Sequence, residues 1–579
     1  MLIKKNLNIF FKFLEKKEKA NFYLIIFFQF IGSILEACGI ALILPVLGII
    51  LGQETGLFSN FVLYFEESFN FSSKEYLLII SVIIILIFFV FKNFILTLIY
   101  KKIFSFAYEI QYKIKSKVYS HFINQKYHKF TEKGSSEMIS TISVDLNIFT
   151  QNFVVSLLIF LTEFFVLLMI SILLLVIEPS GFFLISFITL VFIFIFMKFF
   201  KRKLNSLGEK KEVFEEKMQK IINNSLNSFQ ITKIHNKENF FLEKFNNFNK
   251  ESSFLYGKFM FFQNVPRLFF EILIIILLTI LIFVMMKLNY NFDEIFIKVA
   301  IFSASAFRVM PSINRLTYTY QGIVFSTSTL QKISVLSKEI SNSEKMENNA
   351  NTHKYKVNNF NHELSLSNIT FKYDENIVLD SLNLKIKKGE ALGIYGSSGG
   401  GKTTLINLIA GLIKPQTGTI YLDEKEVEID NPNWQNHIGY VPQSINLLDD
   451  TIINNITFCE EKENEKELLF NVAKQAQILD LIENFGNKKI GERGLRMSGG
   501  QLQRLSIARA LYKKPSILIF DEATNALDEL TEKRVFDTIY SLKGKVTLIL
   551  ISHNINNLDR CDSKFELKKG KLKKIELLN

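Results

Sequence analysis

The stretch "GIYGSSGGGKTTLINLI", residues 393–409, has the residue types and spacing of a phosphate cradle. Gly396, Ser397, Ser398, Gly399, Gly400, Gly401, Lys402, Thr403 and Thr404 follow the apolar run "ALGIY" and open the helical pattern "TTLINLIAGLI". The glycines let backbone N–H groups converge on phosphates, and the helix N-terminus adds the positive end of its dipole. Lys402 has the reach to meet the β- and γ-phosphates, and the Thr403 hydroxyl is a hard oxygen suited to Mg2+. The expected ligand is a nucleotide with its metal.

Such a cradle needs a second strand that ends in a carboxylate near the metal. "SILIFDE" supplies four apolar residues, then Asp521 to hold Mg2+ through water and Glu522 to polarise an attacking water. The alternative for Glu522 alone is a surface carboxylate. In "RMSGGQLQRLSIARAL", Ser498 and Gln501 have capping-box spacing, and Leu502, Leu505 and Ala508 form an apolar face behind them. Gly499 and Gly500 fall in the first turn, where each weakens a helix by about 1 kcal/mol relative to Ala. What they offer in return is bare backbone N–H groups that an anion can approach. A well-capped helix with no further role is the blander reading.

These residues together resemble the ATP-binding cassette family. "MSGGQ" is similar to the family's signature, with Met497 where Leu is usual. Tyr373 in "FKY" resembles the adenine-stacking aromatic, Gln443 in "YVPQ" the metal-sensing glutamine, and Glu492 in "GERG" an exporter-specific segment. Asp528 in "NALD" and His553 in "ISHN" complete the set. The resemblance covers residues 362–579 and implies ATP as the nucleotide, Mg2+ as the metal and ATP hydrolysis as the activity. It also implies two cassettes bound head to tail, with Ser498, Gly499, Gly500 and Gln501 of one chain facing the γ-phosphate held by Lys402 of the other. His553 would contact that phosphate and orient the water.

The rest of the chain must position this engine. Of 579 residues, 49% are hydrophobic, and Phe outnumbers Trp 59 to 1. Long apolar runs occupy the part before about residue 325, and short alternating runs the part after 362, which predicts a membrane half and a soluble half. A bilayer core needs about 20 apolar residues per helix. Six stretches qualify: 22–51, 76–100, 153–177, 181–200, 262–287 and 294–318. Short connectors poor in Lys and Arg join spans 3 to 4 and 5 to 6, and face outward. Long lysine-rich connectors join spans 2 to 3 and 4 to 5, and read as membrane helices continuing into the cytosol. Both termini and the cassette are then cytosolic. The net charge of +12 reflects these membrane flanks rather than a nucleic-acid partner.

The expected architecture is an α-helical six-span transmembrane domain, 1–340, a polar linker, 341–361, and an α/β P-loop nucleotide-binding domain, 362–579. The segment "MLIKKNLNIFFKFLEKKEKA", with Leu7, Phe10, Phe11 and Leu14 at helical spacing, reads as an amphipathic helix on the inner membrane surface. Leu57, Phe61, Tyr64 and Phe65 share a helical face in the one long outward loop, where a plain loop is the other reading. Cys38, Cys459 and Cys561 have no paired or metal-ligand spacing.

The membrane half resembles the exporter branch of the same family, which implies short coupling helices in "YHKFTEKGSSEMISTISVDLN" and "NNSLNSFQITKIHNKENFFLEKF". Six spans are half the usual twelve, so a homodimer follows. Three fragments resemble bacterial lipid-linked oligosaccharide flippases: "FIGSILEACGIALILPVLG", "QNVPRLFFE" and "SAFRVMPSINRL". That resemblance implies a polyprenyl-diphosphate-linked oligosaccharide as substrate, in a bacterial inner membrane. Independently, Lys92, Arg267 and Arg308 lie in apolar spans, where a cation costs roughly 2.5–3.5 kcal/mol. One reading sets them around a watery cavity that takes an anion. In the other, Lys92 and Arg267 snorkel and Arg308 pairs with Glu271. An exporter of peptides, lipids or amphipathic drugs stays open, although no Cys/His peptidase pair precedes span 1. A cassette-gated channel or regulator is the reading from another class.

Overall fold

The computed structural model describes residues 2–42, 74–177, 179–288, 290–350, 360–397, 399–427, 432–459, 465–491, 494, 496–522 and 529–575. They form two compact units: one of Met1–Gln125 with Lys133–Ala350, the other of Asn351–Asn579 with the short segment Lys126–Glu132.

The first unit is helical. Its elements are α1 (Leu2–Phe13), α2 (Lys16–Ala41) and α3 (Lys74–Ile123); the short α4 (Tyr127–Lys133) that follows in the chain belongs, all but its last residue, to the second unit. Then α5 (Ser135–Ser140) and α6 (Leu146–Ile148) alternate with π-helical turns at Thr141–Asp145 and Phe149–Val155, and lead into α7 (Ser156–Ile177). Next come α8 (Pro179–Asn227), the short α9 (Phe229–Ile234), α10 (Glu238–Lys287), α11 (Phe292–Phe325) and α12 (Thr327–Ala350). At 1.5 Å per residue, α3 and α10, with 50 residues each, and α8, with 49, run about 75 Å. The hydrocarbon core is only about 30 Å thick. Any of them that spans it must project well beyond, as the lysine-rich connectors predict.

Among the described residues, four helices are long and apolar enough to cross a membrane: Lys16–Ala41, Leu78–Ile123, Ser135–Val176 and Glu238–Lys287. They coincide with the expected spans 2, 3 and 5 and with residues 22–41 of span 1, whose part from residue 43 on lies outside the described residues. Spans 4 and 6 fall on α8 and α11, which are helical but not among those four. Outward-facing apolar side chains on α3 include Leu86, Val90 and Phe94, at 62%, 64% and 63% exposure. Such a stripe is expected to meet lipid, because soluble surfaces seldom carry large contiguous apolar patches.

Two expectations are revised here. The apolar face of α1 is packed into protein rather than left for a membrane surface. Phe10 is fully buried, its ring centroid 6.0 Å from that of Phe22 and 5.7 Å from that of Phe153, and Leu14 is buried beside it. Aromatic partners on α2 and on the turns before α7 cover the face that lipid would have covered. The second concerns the segment read as linker, whose first ten residues are helical because α12 continues to Ala350. The helical face proposed for Leu57, Phe61, Tyr64 and Phe65 lies outside the described residues.

The second unit is α/β. An antiparallel sheet of order β2-β1-β4-β5 is built from β1 (Glu363–Tyr373), β2 (Asn376–Lys387), β4 (Thr417–Leu422) and β5 (Lys425–Glu426). In β1 and β2, residues alternate between buried and more exposed, as expected for strands with one buried face. A six-stranded sheet has order β10-β9-β3-β8-β7-β6, from β3 (Ala391–Tyr395), β6 (Ile438–Val441), β7 (Ile517–Asp521), β8 (Thr547–Ser552), β9 (Ser563–Lys568) and β10 (Lys571–Lys574). All its pairings are parallel except β9 with β10. Strands β7 and β8 are buried at every residue, which is why their centres "ILIF" and "LILI" read as unbroken apolar runs. Packed around the sheet are α13 (Lys402–Ile409), α14 (Pro432–Gln435), α15 (Ile452–Thr457), α16 (Lys466–Gln475), α17 (Leu479–Phe485), α18 (Gly499–Tyr512) and α19 (Glu529–Tyr540). The single tryptophan, Trp434, is fully buried on α14 and donates from Nε1 to the Ile409 carbonyl, tying α14 to the end of α13.

Asp423, in the turn between β4 and β5, accepts from the backbone N–H groups of Asn361, His362 and Glu363 at 2.6, 2.6 and 3.0 Å. Burial opposes ionisation, but these three donors outweigh it and hold the carboxyl below its usual range. A group with a depressed folded pKa stabilises the fold above its unfolded pKa, and loses that contribution as pH falls through the folded value. Asp423→Ala should therefore destabilise the cassette by about 1–3 kcal/mol at neutral pH. In thermal melts of the solubilised chain, the gap between variant and wild type should shrink on acidification below the ordinary carboxylate range.

Candidate functional site

Strand register, more than any single residue, assembles the site. In the parallel sheet Tyr395 of β3 pairs with Ser552 of β8, and Ile551 of β8 pairs with Asp521 of β7. Three strands therefore end side by side. From their C-terminal ends issue the glycine-rich loop, His553 and the Asp521–Glu522 pair. Strand β6, paired with β7, delivers Gln443 two residues past its own end. Ligands of parallel α/β sheets bind in such a crevice.

The glycine-rich loop between β3 and α13 needs its glycines at identifiable points. Gly401 takes φ +99° just before α13, and a Cβ there would meet the Val378 carbonyl oxygen at 3.0 Å. A Cβ on Gly396 would run into the carbonyl of Leu567. Lys402 is buried and folds back, its Nζ donating to the carbonyls of Gly396 at 2.8 Å and Ser397 at 3.1 Å. Thr403 is exposed in the first turn of α13, and Thr404 is buried behind it.

Glu522 is the point of convergence. Its carboxylate is buried, with Gln443 Nε2 donating to Oε2 at 2.7 Å. Lys402 Nζ lies 3.4 Å and His553 Nε2 2.5 Å from Oε1. The backbone of Glu522 has φ +49°, a left-handed conformation unusual for a residue with a long side chain. Such outliers cluster at functional sites, where the surroundings hold them in place. Next to it, Asp521 is also buried and accepts a hydrogen bond at Oδ2 from the Tyr440 hydroxyl, 3.1 Å away. Burial pushes the Asp521 carboxyl up from its usual range, while the Tyr440 hydrogen bond pulls it down.

The donor set fits Mg2+. Thr403 hydroxyl, Gln443 side-chain carbonyl and Asp521 carboxylate are hard oxygens, too few to cage a metal. Among the described residues no group of three His, Cys, Asp or Glu side chains could do so either. Mg2+ characteristically takes one or two carboxylates and completes its shell with water and substrate phosphates.

The remaining predicted residues fall on other elements of the same unit. Tyr373 ends β1, half exposed, its ring edge-on to Phe371 at 4.9 Å. Ser498 caps α18 as its spacing predicts: its hydroxyl accepts from Gln501 N, and Gln501 Oε1 accepts from Ser498 N at 2.9 Å. Gly499 and Gly500 form the first turn of that helix. Ser398, Glu492 and Asp528 lie outside the described residues.

The three membrane cations do not form one group. Glu36 of α2 takes two of them. Arg308 grips it with two bonds, Nε and Nη2 each 3.0 Å from an oxygen, and Lys92 Nζ is 3.2 Å away. Arg267 pairs with Glu271 one turn along α10 at 2.9 Å. The pairing of Arg308 with Glu271 is thus replaced by one with Glu36. Sequence reasoning passed over Glu36, and also Glu163, which is 1% exposed on α7 and meets Arg315 of α11 at 3.0 Å. Arg315 also donates to the Tyr100 hydroxyl at 3.2 Å. The signal was present: the rule that singles out cations in apolar spans applies equally to carboxylates there.

Comparison with known proteins gives two family matches. The family "ABC transporter transmembrane region" matches residues 22–309, and "ABC transporter" matches residues 379–525. ABC transporter B family member 29, chloroplastic, of Arabidopsis thaliana is 41% identical over 220 residues, 37% of this chain and 35% of that protein. The ATP-dependent lipid A-core flippase of Desulfotalea psychrophila is 39% identical over 217 residues, covering 37% and 38% of the two chains. The alpha-hemolysin translocation ATP-binding protein of Escherichia coli is 37% identical over 218 residues, covering 37% and 31%. In each case the match spans only about a third of the relative's length. A solved bacterial Atm1-family ABC exporter with ATP bound superposes with a TM-score of 0.69 over 94% of each chain. At 19% identity that likeness is one of fold.

The glycine geometry makes a graded prediction. Gly399 also has positive φ, +78°, but open space where a Cβ would sit, whereas Gly401 has both the strained φ and a close carbonyl. Left-handed backbone costs a residue with a Cβ roughly 1–2 kcal/mol. Gly401→Ala should therefore lower the melting temperature more than Gly399→Ala in thermal melts of the solubilised chain.

Proposed function

For a chain that belongs to the ABC transporters, built as an exporter-type half-transporter, we propose that ATP hydrolysis at the described site drives export across a membrane. The convergence of Gln443, Lys402 and His553 on the Glu522 carboxylate carries this reading. Bound Mg2+ would neutralise charge on the phosphates. Thr403, Gln443 and Asp521 would hold it, Lys402 would leave its carbonyls for the β- and γ-phosphates, and Tyr373 would stack on adenine. Glu522 would polarise the water and His553 would orient it against the γ-phosphate. Ser498, Gly499, Gly500 and Gln501 of a second identical chain, with Asp528, would close the site from the opposite side.

The finer reading is a homodimer in a bacterial inner membrane, with both termini and the cassette cytosolic, flipping a polyprenyl-diphosphate-linked oligosaccharide. Charge supports an anionic substrate. Lys92 and Arg308 share the single negative charge of Glu36, so the cluster keeps a positive excess within the spans. A relative whose name gives lipid A-core flipping fits the same substrate class. Peptide or protein export is the second reading, favoured by the similarity to the alpha-hemolysin translocation protein. ATPase stimulation across lipid-linked sugars, peptides and amphipathic drugs separates the two.

Two outcomes are expected of variants. Glu522→Gln should bind ATP as wild type does and hydrolyse it at least about a hundredfold more slowly, the scale of a lost general base. Phosphate release and nucleotide retention in the purified protein measure the two separately. Near-normal turnover would remove Glu522 from the proposed role. Arg308→Ala should lower translocation of a lipid-linked oligosaccharide in proteoliposomes about tenfold, the scale of one lost charged hydrogen bond, with basal ATP hydrolysis largely kept. Unimpaired flipping in Lys92→Ala, Arg267→Ala and Arg308→Ala alike would favour the second reading.

A further inference from the structure

Among the residues around the metal-holding carboxylate, Tyr440 has no part in the chemistry so far assigned. It sits on β6 directly opposite Ile519 of β7. Residues paired across strands share a face, and so do residues two apart along a strand, so Tyr440, Ile519 and Asp521 are on one side of the sheet. Asp521 lies two residues further along, about 6.6 Å. A tyrosine side chain laid along the sheet spans that distance, and its hydroxyl arrives 3.1 Å from Asp521 Oδ2.

The contact has a physical consequence for the carboxylate. Asp521 is 5% exposed, and an ionised carboxylate out of water must find donors. Its neighbour Glu522, equally buried, draws on Gln443, Lys402 and His553. For Asp521 the donor is the Tyr440 phenol. Because the donor binds one oxygen, it also fixes the rotation of the carboxylate, and leaves Oδ1 as the oxygen to accept from a metal-bound water. Groups that hold a metal ligand from behind set its orientation, and losing one typically costs tenfold or more in metal affinity. Phenylalanine at this position would fill the same space without the donor. Gln443 follows two residues after the end of β6, so the tyrosine also ties the carboxylate to the strand that delivers the glutamine.

We infer that Tyr440 is a positioning residue that orients the Asp521 carboxylate for Mg2+ through the hydroxyl bond to Oδ2. The inference rests on the proposed reading of Asp521 as the carboxylate that holds Mg2+ in an ATP site.

The test is Tyr440→Phe in the full-length solubilised chain, with binding of a fluorescent trinitrophenyl-ATP measured first in EDTA and then during a Mg2+ titration. Nucleotide affinity in EDTA should stay within about twofold of wild type, which shows that the fold and the cradle are intact. The half-saturating Mg2+ concentration should rise about tenfold. In an Asp521→Asn background the same substitution should shift it no further, since the carboxylate to be oriented is gone. A Mg2+ half-point unchanged by Tyr440→Phe overturns the inference. So does an equal loss with and without Mg2+, or a shift that persists undiminished with Asp521→Asn. The underlying reading fails separately: wild-type protein would then bind the nucleotide with no dependence on Mg2+, or with a dependence that Asp521→Asn leaves unchanged.

Discussion

A carboxylate withdrawn from water must have its charge answered, and the cassette is organised around two adjacent ones. Asp521 ends a strand that is buried at every residue, and Glu522 follows it directly. Their answers come from separate parts of the chain: Lys402 from the glycine-rich loop, His553 from the end of β8, and Gln443 and Tyr440 from β6 and just beyond it. A buried ion left without partners costs several kcal/mol. The sheet order that brings these ends together is therefore tied to the same groups that would perform chemistry. Lys402 is held by two carbonyls and by Glu522.

The helical unit obeys the same constraint in a less forgiving solvent. Glu36 and Glu163 sit on apolar helices and are buried, and each is matched by an arginine of α11, Arg308 and Arg315. These are seven residues apart, two turns, and so lie on one face of the helix. Lys92 from α3 adds a second cation to Glu36. Such pairs tie helices together in register, because an unpaired charge within a span is costly. Glu36 lies 56 residues from Lys92 and 272 from Arg308 in the chain.

Much of the molecule was legible without coordinates because its signals are local. The capping box at Ser498, the strand before the P-loop, the alternation of β1 and β2 and the buried run of β7 all depend on residues within a few positions of one another. The revised readings share a different trait. The face of α1 was amphipathic as expected, but its burial against Phe22 and Phe153 depends on which helices lie beside it. The polar segment 341–350 has no apolar stripe to announce a helix, yet α12 carries on through it.

The sequence by itself determined the glycine-rich loop between strand and helix, the carboxylate pair that follows a buried strand and the long helices that outrun a bilayer. Each follows from backbone sterics, side-chain chemistry or period along a short stretch. Only the tertiary structure decided which charge answers which. That Arg308 takes Glu36 and not Glu271, that Glu522 gathers a lysine, a glutamine and a histidine, and that Tyr440 holds Asp521, are outcomes of strand register and helix packing. The physical reason is range. Propensity and periodicity act over a turn or a strand, whereas the pairing of buried charges is settled by whichever donors the folded chain brings within about 3 Å.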